Sequence, residues 1–186
     1  MVTIMALWLP ILLSAAIVFV ASSVIHMLLR YHHSDFGKVP EEDRVLGALR
    51  EAGVPPGDYV IPCPGGPEGR KDPEFLAKVE QGPMAFLTLM PGGQLSMGKN
   101  LVQWFLYCVV VGVFGAYIAG RALEPGAEYL AVFRFVGCTT FIGYALALWQ
   151  NSIWYRRAWS TTLKSTFDGL VYALLSAGTF GWLWPG

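Results

Sequence analysis

Residues 101–120 have the sequence LVQWFLYCVVVGVFGAYIAG, a run of twenty residues without a charged side chain. A bilayer core about 30 Å thick takes roughly 20 apolar helical residues, so this run predicts a membrane-spanning helix. The composition agrees, because 54% of the 186 residues are apolar and only 14% are charged. Soluble domains carry more charge. We therefore expect an integral membrane protein.

Three other segments have the same apolar character, about Thr3 to Leu29, about Tyr129 to Trp149 and about Ser165 to Trp184. The first has no Lys or Arg at its start, and its apolar run is longer than a signal-peptide core. We predict that it is a retained helix rather than a cleaved signal.

The predicted fold is an α-helical integral membrane protein with four transmembrane helices and a small α+β cytoplasmic insert between helices 1 and 2. Residues 1–30 hold transmembrane helix 1, and residues 31–99 form the insert. Residues 100–186 hold helices 2–4, with an interfacial segment at 150–164.

Lys and Arg near the ends of the spans predict the orientation, because they favour the cytoplasmic side. They flank the insert and crowd 150–164, whereas the other side has only Arg121. We expect the plasma (inner) membrane of a bacterium, with both termini outside. Aromatic and basic residues predict a segment that lies against an anionic leaflet: Trp149, Trp154, Tyr155, Arg156, Arg157, Trp159 and Lys164.

Small residues recur at four-residue intervals in three predicted helices, which permits close helix packing in lipid. We predict a tight bundle with this face inside it or at a subunit interface. The packing residues are Gly112, Ala116, Gly120, Gly143, Ala147, Gly169, Ala173, Ala177 and Gly181.

The insert carries two similar units in the order α-β-α-β. The first helix begins at Pro40 and ends at Gly53, before a strand at Asp58–Ile61; in the second unit Asp72 is the N-cap, and Met84–Met90 is predicted to be a buried strand. The second helix could cross over between parallel strands. Such a small domain is marginal alone, so it should rest on the bundle, a second copy or a partner.

Three ionisable residues lie within the apolar segments, His26, Arg134 and Asp168. Charges in hydrocarbon are costly, which makes these residues functional candidates. Arg134 can snorkel to an interface, or it can pair with Glu124 or Glu128. A hydrogen bond between His26 and Asp168 could move a proton or bind a cation. The alternative is that Asp168 faces the charged inner interface near Lys164 and that His26 makes a structural contact.

Neither metal nor cofactor binding is predicted. His32, His33 and Asp35 are of types that bind transition metals, but their spacing matches no metal motif. The three cysteines, Cys63, Cys108 and Cys138, imply no disulfide framework. Cys63 in its Pro-Cys-Pro context could be a haem contact or an exposed reactive thiol.

No catalytic triad order, zinc-protease motif, catalytic carboxylate pair or dinucleotide fingerprint occurs, and neither half is basic enough to favour nucleic acid. The leading hypothesis is a protein that acts by assembly, as a homo-oligomer or an accessory subunit of a larger membrane complex, with the insert as docking surface. The alternative is a small oligomeric transporter or channel that uses His26, Arg134 and Asp168. A membrane-bound enzyme or redox protein is third. The expected partners are the lipid bilayer and other membrane subunits.

Overall fold

The structure is a computed structural model that describes residues 1–93 and 96–186. It is mostly helical (69%), with a small two-stranded sheet. The chain divides into two compact units. Met1–Gly37 and Ser96–Gly186 form the first, called the helical unit below, and Lys38–Leu95 form the second, the insert unit.

The elements are α-helices, two strands and four short 3₁₀ turns. The α-helices and strands, in chain order, are α1 (Trp8–Met27), α2 (Glu42–Glu51), β1 (Gly57–Ile61), α3 (Pro73–Gln81), β2 (Ala85–Leu89), α4 (Gly98–Ala122), α5 (Tyr129–Tyr144), α6 (Trp149–Tyr155) and α7 (Trp159–Trp182). The 3₁₀ turns are Ile4–Leu7, Arg30–Ser34, Glu68–Lys71 and Leu146–Leu148.

Within the described residues, three helical segments are long and apolar enough to cross a membrane: Ile4–Met27, Gly98–Ala122 and Tyr129–Tyr155. They are compatible with a membrane location. The fourth predicted span, about Ser165 to Trp184, is not among them, so four spans are not confirmed. It belongs to α7, whose first half carries hydroxyl side chains and two charges that lower its mean hydropathy: Ser160, Thr161, Thr162, Lys164, Ser165, Thr166 and Asp168.

The predicted interfacial segment at 150–164 is not one element. Helix α6 continues to Tyr155, the backbone turns through a left-handed conformation at Arg156 (φ 58°), and α7 begins at Trp159. The fourth helix therefore starts six residues earlier than Ser165, and its first turns are polar.

Helices α1, α4, α5 and α7 pack side by side in the helical unit, α5 against α7 and α4, and α1 against α4 and α7. Two clusters of buried side chains fill the space between them. One includes Leu7, Ile11, Ala116, Val132, Val136 and Phe180, and the other includes Ala15, Val18, Cys108, Val111, Tyr144 and Tyr172. The core is thus shared by all four helices.

Glycines lie where α4 and α7 come closest to other segments of the helical unit. A Cβ added at Gly120 would lie 2.5 Å from the carbonyl oxygen of Val2, and one at Gly169 would lie 2.8 Å from the Cβ of Ala145. A Cβ at Gly181 would lie 2.7 Å from the ring of Tyr129. These glycines therefore face neighbouring segments of the same chain.

Of the six other predicted packing residues, five face the interior of the helical unit and Ala147 does not. Gly112 and Gly143 face side chains of neighbouring helices, and three alanines are buried, Ala116, Ala173 and Ala177. Ala147 is exposed in the Leu146–Leu148 turn. The neighbouring Ala145 is fully buried instead, and it is the residue that meets Gly169.

In the insert unit the strands are antiparallel, with Gly57 opposite Leu89 and Ile61 opposite Ala85. The expected parallel crossover is therefore wrong. A parallel sheet needs helices over both faces, and two short helices cannot supply that cover. The observed alternation along β2, half-buried then exposed, is typical of an antiparallel pair with one face in solvent.

None of the described residues of the insert unit is buried. The prediction of a buried second strand is thus also wrong, since Met84 and Met90 are 59% and 76% exposed. The local signals do operate: Asp72 accepts a hydrogen bond from the Glu74 N–H at 3.0 Å, and α3 ends before Gly82 in a positive-φ conformation (57°). In the insert unit, local sequence signals therefore set the ends of α3, although the described residues of the unit form no buried core.

Candidate functional site

A network of polar side chains joins α7 to the segment that follows α1. At its centre is Asp168, which is 3% exposed. The Tyr31 hydroxyl donates a hydrogen bond to one carboxylate oxygen, Oδ1, and Nε2 of His32 lies 2.8 Å from the other, Oδ2. Both oxygens of a buried carboxylate are therefore satisfied by side chains, as burial of a charge requires.

The far side of the His32 ring meets a second carboxylate. Nδ1 of His32 lies 2.6 Å from Oδ2 of Asp35, whose side chain is 7% exposed. The Lys164 ammonium donates to Oδ1 of Asp35 at 2.9 Å, to the Tyr31 carbonyl at 2.6 Å and to Ser34 Oγ at 2.8 Å. We call Tyr31, His32, Asp35, Lys164 and Asp168 the Asp168 network.

Local structure explains why these residues meet. The 3₁₀ turn Arg30–Ser34 begins directly after α1 and places His32 and Asp35 three residues apart on one side. On α7, Lys164 and Asp168 are four residues apart and so share a helix face. The two pairs face each other because α1 and α7 pack together.

Protonation in the network follows from its hydrogen bonds. Burial raises the pKa of the Asp35 carboxyl, but the hydrogen bonds from His32 and Lys164 outweigh it and hold the pKa below its usual value. Burial and the hydrogen bond to Asp168 raise the pKa of Tyr31, so its hydroxyl stays a donor. His32 lies between the carboxylates of Asp35 and Asp168 and contacts one with each ring nitrogen.

His26 lies beside the network without a hydrogen bond to it among the described residues. Its ring lies against the His32 ring, with centroids 4.5 Å apart and the ring planes tilted by 41°. His26, His32 and Asp168 each offer one atom that could bind a metal, and these three atoms all lie within 4.8 Å of one another. The predicted hydrogen bond from His26 to Asp168 is thus replaced by one from His32.

A groove of about 350 Å³ gives access to His26 from the surface. It is lined on the α1 side by Ser22, Ser23, His26 and Met27 and on the other by Met97, Asn100, Leu101 and Trp104. The Trp104 indole donates to Ser22 Oγ at 2.8 Å, and both residues line the groove. A small solute could therefore reach His26 without moving the helices.

The buried hydroxyl of Tyr172 lies one helical turn beyond Asp168 on α7. The residue is 4% exposed, and its hydroxyl has no hydrogen-bond partner among the described residues. Buried polar groups are normally paired, so this hydroxyl marks a place where a further polar atom would be accepted.

Arg134, the third intramembrane candidate, is not part of the network. It is exposed on α5 and makes no ion pair within the part of the chain that the structure describes. Glu124, one of its two candidate partners, accepts a hydrogen bond from the Met1 ammonium instead. His33 is also exposed, outside the network.

Of the predicted interfacial residues, six are exposed, and Lys164 is the exception. Its side chain is 25% exposed and turns toward Asp35. From the sequence, His32 and Asp35 are candidates only as residues of metal-binding types, and Tyr31 is not a candidate. The signal that was available is the pair Lys164 and Asp168, because they are opposite charges at i and i+4 in an apolar helix.

Comparison with protein families, with curated proteins and with solved structures finds no match to this chain. The class that the fold and site define is a helical, membrane-compatible protein with a buried His–carboxylate network. Its function is therefore argued from its own residues.

Proposed function

We propose that this is an integral membrane protein that acts by assembly, as a homodimer joined through the insert unit. The observation that carries the proposal is that no described residue of the insert unit is buried. Several apolar side chains there are about half exposed, among them Val45, Leu46, Ile61 and Leu76. A two-stranded sheet with that much apolar exposure is marginal in water and gains stability from a partner surface.

The helical unit does not have the same need. Its closest glycines already face neighbouring segments of the same chain. Contact with other copies through these glycines is thereby prevented, so the insert unit is the better site for association.

A second copy of the insert unit suits the edge of β2. Residues 82–93, which contain β2, carry no charged side chain, although the insert is acidic overall. Two β2 strands can therefore pair antiparallel across a twofold axis without like charges opposite each other. Such pairing would extend the sheet from two strands to four and cover exposed edges.

Native mass spectrometry of the full chain in detergent, over a range of protein concentrations, tests the proposal. We expect a dimer for the wild type and a monomer for Phe86→Lys, which places a charge on each paired strand. Leu76→Lys on α3 is the matched control, because Leu76 is 50% exposed and Phe86 is 51% exposed. It should remain a dimer.

Two results would contradict the proposal. The first is a wild type that stays monomeric at every concentration. The second is an equal effect of the two Lys variants, which would indicate a general response to lost apolar surface. Co-purification of a different protein on the insert, with no second copy, would support the accessory-subunit alternative instead.

We further propose that α7 is a fourth membrane span. Its polar residues include Asp168, which is turned inward, whereas Leu163, Phe167, Leu170 and Leu174 are 41–60% exposed. These four residues recur every three or four positions and so form one apolar stripe that suits lipid. The Lys and Arg distribution then favours a cytoplasmic insert with both termini outside, which protease protection in membrane vesicles can test.

A second candidate function is movement of a cation through the membrane. The specific observation in its favour is that the groove reaches His26, whose ring lies against that of His32 of the Asp168 network. Flux assays in liposomes can compare the wild type with Asp168→Asn. Equal flux rates for the two proteins would remove the case for transport through this network.

A further inference from the structure

Three side chains of metal-ligating types converge where α1 meets α7. His26, His32 and Asp168 offer two imidazole nitrogens and one carboxylate oxygen within 4.8 Å of one another. From this arrangement we propose that they form a binding site for a divalent first-row transition metal, with Zn²⁺ as the representative ion. Two imidazoles and one carboxylate are a set that zinc uses in sites with an open fourth position.

The surroundings of His32 and Asp168 are those of a supported metal site. Asp35 accepts from Nδ1 of His32 at 2.6 Å, which leaves Nε2 as the ligand atom. Metal-bound imidazoles generally donate their other N–H to a carboxylate in this way. Tyr31 donates a hydrogen bond to Oδ1 of Asp168, which leaves the other carboxylate oxygen, Oδ2, facing Nε2 of His32.

His26 is the residue that distinguishes a metal site from a purely structural network. The other two ligands are already joined by a hydrogen bond, but the ring nitrogens of His26 make no hydrogen bond among the described residues. His26 is exposed and borders the groove, so an ion can reach it from the surface.

A metal ion binds an imidazole nitrogen that carries no proton. Zn²⁺ therefore occupies Nε2 of His32 in place of any proton there, and that proton is released to solvent.

The ligand atoms need to move before they can hold a metal. Nε2 of His32 and Oδ2 of Asp168 are 2.8 Å apart, whereas two tetrahedral ligands at about 2.0–2.1 Å from zinc are about 3.3 Å apart. This pair therefore opens by about half an ångström. The His26 ligand atom lies within 4.8 Å of the other two, so it moves closer by up to about 1.5 Å.

The test measures Zn²⁺ binding to the full chain in detergent by isothermal titration calorimetry, with metal content of the dialysed protein as a second readout. The decisive pair is His26→Phe and His33→Phe. The first removes one ligand and keeps a ring to lie against His32, and neither change touches the hydrogen bonds of the Asp168 network. His33 is exposed outside the site, so its variant controls for zinc scavenging by surface histidines.

We expect one Zn²⁺ per chain for the wild type and for His33→Phe. His26→Phe should bind at least tenfold more weakly, and Asp35→Asn should lose about 10–100-fold in affinity through its outer-shell contact. The far-ultraviolet circular dichroism of His26→Phe should match the wild type, which separates lost binding from misfolding. The proposal is overturned if the wild type binds no zinc, or if the two histidine variants bind it equally.

This inference does not depend on the proposed dimer, because all its residues lie in the helical unit. Phe86→Lys should therefore bind Zn²⁺ like the wild type. Failure of dimerisation and failure of zinc binding would appear as separate results.

Discussion

Substitution of Gly169 by alanine should destabilise the helical unit, although alanine is the better helix former. The added Cβ would lie 2.8 Å from the Cβ of Ala145 and 3.3 Å from the backbone carbon of Tyr144. Neither atom is the end of a flexible side chain, so a helix must shift. Gly178→Ala is the matched control on the same helix, because its new Cβ would meet only the Tyr129 hydroxyl at 3.5 Å.

The expected magnitude follows from two opposing terms. Replacing Gly by Ala inside a helix gains about 1 kcal/mol, and overpacking costs about 1–3 kcal/mol. Gly178→Ala should therefore stabilise by up to about 1 kcal/mol, and the two variants should differ by about 1–3 kcal/mol in free energy of unfolding. For a chain of this size that difference corresponds to about 2–12 °C in Tm.

Thermal unfolding in one detergent, followed by circular dichroism at 222 nm, is a suitable assay. A second variant checks the cause, because Ala145→Gly removes the atom that Gly169→Ala would strike. The double variant should recover part of the lost Tm. Equal Tm values for Gly169→Ala and Gly178→Ala, or no recovery in the double variant, would refute the close approach of α5 and α7 at this point.

Three further predictions concern individual hydrogen bonds. Lys164→Met and Asp35→Asn should each destabilise the helical unit, and a double-mutant cycle should give a coupling of about 0.5–3 kcal/mol in unfolding free energy; purely additive effects would contradict the ion pair. Trp104→Phe should lower the free energy of unfolding by about 1 kcal/mol, because it removes the hydrogen bond to Ser22. Adding Ser22→Ala to it should then have little further effect on Tm. A second decrease in Tm of the same size would argue against that hydrogen bond. Asp72→Ala removes the N-cap of α3 and should lower local stability by about 1 kcal/mol, which faster amide hydrogen exchange across residues 74–81 would report; unchanged exchange there would show that the cap is dispensable.

Hydropathy predicted the helical class because the bilayer imposes length and composition together. It located α1, α4 and α5 to within a few residues, except that the helical segment after Tyr129 continues to Tyr155. Mean hydropathy was less informative for α7, because a helix that buries polar side chains against its neighbours has a low mean hydropathy whether or not it lies in a membrane. The polar and apolar residues of α7 lie on different faces of the helix, and an average over the whole segment does not show this.

The insert unit shows a different limit of prediction from sequence. Caps and glycines predict where α3 begins and ends, because those signals act within a few residues. The direction of strand pairing depends on contacts between residues far apart in the chain. The connection at 62–84 is long enough for either a parallel or an antiparallel arrangement, so its length could not decide between them.

The site was only partly predictable for a similar reason. His26 and Asp168 were candidates because charge and imidazole stand out within apolar segments. The spacing of His32, His33 and Asp35 matches no metal motif, and neighbouring histidines in a chain point in different directions. In the 3₁₀ turn the two histidines do point in different directions, so that His32 contacts Asp168 while His33 faces outward.

The Asp168 network also explains why α7 tolerates charge at all. An isolated carboxylate within a bundle carries a large desolvation cost, and it persists only if partners satisfy it. Here those partners come from Tyr31 and His32, and Lys164 from α7 itself fixes Asp35 behind them. The turn after α1 is therefore held against α7 by charged hydrogen bonds, in addition to the packing of Tyr31 against the buried cluster that contains Tyr172. Because those bonds have strict geometry, they position His32 and Asp168 closely enough for a third ligand, His26, to complete a metal site.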